Sequence, residues 1–138
     1  STALKAVTDL ERIGDHASDI AELILRIKSE HAYHIVKHLP VMAASANAMV
    51  HDAIEAFINQ DLDSAMEIIE RDDEVDTLFN QVKDDVIHLL KSSPDQADQG
   101  IDLLMVAKYL ERIGDHAVNV CEWTQFSKTG ALKNVRIM

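Results

Sequence analysis

Among the acidic side chains that lie four residues apart in this chain, three pairs stand out: Glu11 with Asp15, Asp72 with Asp76, and Glu111 with Asp115. On a helix that spacing puts both carboxylates on one face, where like charges cost about 0.2–0.5 kcal/mol per pair. Asp19 extends the first pair into a ladder, and Asn119 stands at the matching place in the last. All-oxygen donor sets of this kind suit hard or borderline cations such as iron, manganese, magnesium or zinc. The competing reading is a solvated face on which Arg12 and Arg112 supply local ion pairs and the acids serve solubility.

Two of the three pairs lie inside an exact internal repeat. Leu-Glu-Arg-Ile-Gly-Asp-His-Ala occurs at residues 10–17 and again at 110–117, which marks an internal duplication. Each copy keeps a glycine, Gly14 and Gly114, that disfavours a helix by about 1 kcal/mol relative to alanine. Close approach of a neighbouring helix is the simplest reason to keep them. His16 and His116 fall on the flank opposite the acids, as surface or interhelix hydrogen-bonding groups rather than ligands. The third pair has no repeat around it, but Asp72 continues the apolar line Ile68, Val75, Phe79. If the helix carrying Asp72 and Asp76 packs against the one carrying Glu111 and Asp115, four carboxylates meet along one groove. A carboxylate there must find a partner or take up a proton.

The elements that position these residues read as helices. With 138 residues, aromatics at 4%, 4 Gly and 2 Pro, the composition favours an all-α domain with its own core. Apolar residues at Leu4, Val7, Leu10, Ala17, Ala21 and Ile24 keep helical spacing from the start of the chain, which predicts a helix over 1–30 that begins in mid-helix, as the end of a preceding repeat. Residues 31–39 read as a linker containing His31, His34 and His38. Pro40 then opens a helix to Asn59, Asp61 or Asp63 caps one running to Ser92, and Ser93-Pro94 starts a long helix that fades near Lys128 to Gly130. The expected architecture is an antiparallel three-helix bundle over 40–130, one additional N-terminal helix from a truncated first repeat, and a tail at 131–138 without periodicity. The additional helix must cover its apolar stripe, either as a fourth helix or in a swapped homodimer.

Several function classes are excluded or disfavoured. The formal net charge of −11 opposes non-specific binding to nucleic acid or to an anionic bilayer. No apolar run approaches the roughly 20 residues of a membrane span. The single Cys121 rules out an internal disulfide and suits a reducing compartment such as the cytoplasm. Neither Glu11 nor Glu111 begins the Glu-x-x-His motif of a ferritin-like oxidase, and phosphate loops and nucleophile arrangements are absent. Three readings stand: a metal-binding regulatory module, a metal-dependent oxidase or hydrolase working in the carboxylate groove, and a structural helical bundle.

The stretch from Tyr109 to Trp123, with Glu70 to Leu78 upstream, resembles the PhoU family of phosphate-signalling regulators, over about residues 3–132 and with both motif copies in order. The resemblance implies two tandem three-helix bundles, of which this chain carries the last helix of the first and the whole second. It implies iron or zinc clusters held by Glu/Asp-x-x-x-Asp motifs, which map onto Glu11 with Asp15, Asp72 with Asp76, and Glu111 with Asp115. It further implies no enzymatic activity but a cytoplasmic, negative regulator of phosphate uptake and of the phosphate-starvation response. Its partners would be the ATPase subunit of a phosphate ABC transporter and a membrane sensor histidine kinase. The ladder Glu11, Asp15, Asp19 lacks its facing pair, so the second copy is the expected metal site.

Overall fold

A computed structural model describes residues 1–137, with side chains described through Gly130. Six α-helices follow one another: α1 Thr2–Arg26, α2 Glu30–Ile35, α3 Leu39–Asn59, α4 Leu62–Glu70, α5 Asp72–Ser92 and α6 Ala97–Ile137, with a single 3₁₀ turn, Pro94–Gln96, before the last. The described residues contain no strand. The all-α expectation holds, and α1 packs along α6, on which α3, α4 and α5 also pack. The expected stripe of α1 is not covered, however, since Leu4, Val7, Ala17, Ala21 and Ile24 are exposed and α1 seats Ala6, Leu23 and the half-buried Leu10, Ile13 and Ile20 instead.

Local chemistry accounts for most boundaries. Ser1 caps α1 by accepting from the Leu4 N–H, and Asp61 caps α4 by accepting from the Ser64 N–H at 3.1 Å, as its position predicted. The α3–α4 junction turns on Gln60, whose backbone is left-handed (φ 52°, ψ 41°). Pro40 lies in the first turn of α3, where its missing N–H costs nothing.

Four further expectations need correction. The linker at 31–39 contains α2, because the Ser29 hydroxyl accepts from the Ala32 N–H and starts a turn and a half of helix there. The helix drawn from Asp61 to Ser92 is two, broken at Arg71 (φ −68°, ψ −13°). The Arg71 guanidinium reaches across to Asp52 of α3 at 2.7 Å, tying the break to that helix. The first helix stops at Arg26, where Ile27 turns extended and buries itself. Finally, α6 continues to Ile137 instead of fading at Gly130; the side chains of the expected tail, 131–138, lie outside the described residues.

The core is a column of medium apolar side chains: Met42, Ala46, Met49 and Ala53 from α3, Val75, Val82 and Val86 from α5, and Leu103, Ala107, Ala117 and Val120 from α6. Cys121 is fully buried within it, and burial pushes its thiol up to about 12, so it behaves as a core residue rather than a nucleophile.

Helix α1 runs antiparallel to α6. Near one end, Asp9 accepts from His116 Nδ1 at 2.9 Å, from Asn119 Nδ2 at 3.2 Å and from Trp123 Nε1 at 3.0 Å. Near the other, Arg26 meets Asp102, and the N–H groups of Lys28 and Ser29 donate to Gln99 Oε1. The two motif copies therefore cross at their centres, with the His16 and His116 rings 5.6 Å apart. His116 is thus the interhelix hydrogen-bonding group expected of it.

Candidate metal centre

The carboxylate groove forms where α5 meets α6. Asp72 opens α5, immediately after the break at Arg71, and Val75 beside it is buried against α6. Helix α5 passes beside Gly114: a Cβ at that position would lie in ordinary van der Waals contact, 3.4 Å from Asp72 Oδ1 and 3.7 Å from Val75 Cγ1. The close approach predicted for this glycine is present. Gly14 differs, since a Cβ there would meet nothing within 4 Å.

Asp72, Asp76, Glu111 and Asp115 are brought together as one electrostatic unit. Burial, then the negative charge of Asp76, Asp115, Asp73 and Glu111, pushes the Asp72 carboxyl up to about 6. Burial and Glu111 likewise raise Asp76 and Asp115 above the usual carboxylate range. Asp72 Oδ1 is buried without a hydrogen-bond partner, a costly state for a charged oxygen. Lys108 partly answers the charge, its Nζ 2.7 Å from Glu111 Oε1; this i,i+3 partner escaped the sequence reading, which looked to Arg112. Arg112 instead lies over the Tyr109 ring.

The first copy is arranged differently. Glu11 and Asp15 are exposed and Asp19 is half-buried. Arg12 pairs loosely with Asp15 at 3.7 Å, and Asp19 stands 3.8 Å from His16 Nδ1. Among the described residues no second acidic pair faces this ladder.

One constellation was not singled out from sequence. His51, Asp52 and Glu55 on α3 place one ligand atom each within 4.8 Å of one another, and the His51-x-x-x-Glu55 spacing was the available signal. Arg71 occupies Asp52 there, and His51 is exposed.

The chain matches the PhoU domain over residues 1–24 and 39–124. The chain belongs to the PhoU family. The phosphate-specific transport system accessory protein PhoU homolog of Clostridium acetobutylicum is 41% identical over 129 residues, covering 94% of this chain and 59% of that protein. PhoU homolog 1 of Thermotoga maritima is 35% identical over 136 residues, covering 98% and 58%. The crystal structure of PhoU from Pseudomonas aeruginosa superposes with a TM-score of 0.80 at 28% identity, over 94% of this chain and 66% of that one. The phosphate transport system regulatory protein PhoU from Streptococcus pneumoniae gives 0.77 at 27%, over 94% and 65%. The chain thus spans about three fifths of the length of the PhoU relatives it matches. No helix among the described residues is long and apolar enough to cross a membrane.

Proposed function

We propose that this chain is a metal-binding regulatory part of a PhoU protein, restraining phosphate uptake and the phosphate-starvation response through protein contacts and without catalysis of its own. Family membership and the names of its relatives as accessory and regulatory proteins of phosphate transport support the regulatory role. The partners this role calls for are the ATPase subunit of a phosphate ABC transporter and a sensor histidine kinase, met at the membrane from the cytoplasm.

The observation that carries metal binding is the orphaned Asp72 Oδ1 among raised carboxyls. Burial and mutual repulsion disfavour the ionised forms of Asp72, Asp76 and Asp115, and the oxygen donor set they make with Glu111 fits iron, zinc, manganese or magnesium. Asp72 and Asp76 from α5 and Glu111 and Asp115 from α6 would hold the metal, and Glu11, Asp15 and Asp19 would hold a second site only with further acids opposite them. A bound cation would supply positive charge that favours the ionised forms of the three raised carboxyls. Asp72 and Asp115 would then act as a latch between α5 and α6, making their spacing depend on occupancy. Lys108 keeps Glu111 oriented in the ion's absence.

The test is in two stages. Metal analysis of protein purified without chelator is expected to find iron or zinc, with most of it lost in the Glu111→Ala, Asp115→Ala double variant; unchanged content would remove the groove from consideration. In cells lacking their own regulator, the full-length protein is expected to restore repression of a phosphate-regulated reporter, and failure to do so would overturn the regulatory role.

A further inference from the structure

At the crossing of α1 and α6 the two motif copies present their histidines to each other. One ring is held by an acid and the other stands near one. His116 Nδ1 lies 2.9 Å from Asp9 Oδ1, and His16 Nδ1 lies 3.8 Å from Asp19 Oδ2. For His116 the Asp9 carboxylate on Nδ1 fixes the tautomer that leaves Nε2 with its lone pair free, the arrangement found behind histidines that ligate metals. No group among the described residues hydrogen-bonds either Nε2. The His16 and His116 centroids are 5.6 Å apart. Two imidazoles sharing one zinc at about 2.0–2.1 Å put their centroids roughly 5–6 Å apart. Both side chains are largely buried, at 16% and 24% exposure, so little rotamer freedom remains to be lost on binding. His16 Nδ1 is buried with no hydrogen-bond partner, so a small turn of this ring toward Asp19 improves its own hydrogen bonding.

From this we infer a second metal site, at the α1–α6 seam, in which His16 and His116 ligate one borderline divalent ion such as zinc, nickel or copper, with Asp9 and Asp19 orienting the two rings. Water completes the coordination. Imidazole nitrogen selects these ions over magnesium and calcium, so the seam and the all-oxygen groove differ in preference. Occupancy ties the two repeats through one residue from each, and a ligand that binds the docked form alone stabilises the docking of α1. The inference is independent of the signalling role.

The experiment uses the chain with its groove silenced by Asp72→Asn and Asp115→Asn, stripped with chelator and titrated with Co²⁺ while visible absorption is followed, then with Zn²⁺ in competition. The expected result is one saturable Co²⁺ site displaced by Zn²⁺ and unaffected by millimolar Mg²⁺. His16→Gln and His116→Gln, each checked for native helix content by circular dichroism, are expected to weaken binding at least tenfold. Asp9→Asn is expected to weaken it about 10–100-fold, as loss of a ligand's orienting carboxylate does. If either histidine variant fails to fold, the other decides. Binding unchanged by the folded histidine variants, or no saturable site in the silenced background, would overturn the inference.

Discussion

Asp72 is the residue on which the metal hypothesis and the stability of the ion-free protein meet. Its carboxyl titrates near 6 in the fold against an ordinary value of 3.8, so between those values the native state holds a proton that the unfolded chain has released. Stability then falls as pH rises through this window, and above about 6 the cost is fully present. Screened by solvent at the open side of the groove, the cost is on the order of 1 kcal/mol. In chelator, Asp72→Asn is expected to be more stable than the parent at pH 7 and equal to it near pH 4, as read by urea denaturation at both pH values. A less stable variant at pH 7 would mean that the carboxylate is held by favourable contacts. This meeting of acids was legible in sequence because Asp72 falls in line with the apolar residues Ile68, Val75 and Phe79. Lys108 was not, because an i,i+3 lysine looks the same whether it points to solvent or to Glu111.

Among the elements, α1 and α6 carry the same eight residues in different surroundings, and their glycines register the difference. Gly14→Ala adds a methyl to open space and is expected to stabilise the chain by up to about 1 kcal/mol through helix propensity alone. Gly114→Ala places the same methyl against Asp72 Oδ1 and Val75 Cγ1, so it is expected to gain less and to lower metal uptake by further desolvating that oxygen. Urea denaturation of the pair, with metal analysis, checks both; equal gains would contradict the packing at Gly114. The docking of α1 is equally specific. Asp9→Ala removes the acceptor shared by His116, Asn119 and Trp123 and is expected to cost about 2 kcal/mol, seen as faster limited proteolysis within α1. Caps and prolines made the helix starts at Pro40 and Asp61 readable, whereas the break at Arg71 carried no glycine or proline signal. It depends on Asp52, nineteen residues away in sequence, which no local window contains.

At the scale of the molecule, the duplication explains which surface of α1 is covered and which is bare. Val7, Gly14, Ala21 and Leu25 fall on one face of α1 and are exposed, with Leu25 at 75% and Leu4 nearby at 66%. Of their counterparts one hundred residues later, Ala107, Gly114 and Cys121 are buried in the bundle and Gln125 is half-buried. Helix α1 thus repeats the bundle-facing stripe of α6 without a bundle on it. The repeat was plain in the sequence, but the antiparallel crossing that turns this stripe outward was not, since periodicity gives a helix its apolar face and not its neighbour. A bare stripe of this length favours association. The isolated chain is therefore expected to show a mass in sedimentation equilibrium that rises with concentration. Val7→Lys with Leu25→Lys is expected to return it to the monomer mass with helix content unchanged, because those two positions are exposed and make no core contact. A chain that stays monomeric at every concentration would show that Glu11, Asp15 and Glu22 along the flank of the stripe repel a second copy strongly enough to keep it bare.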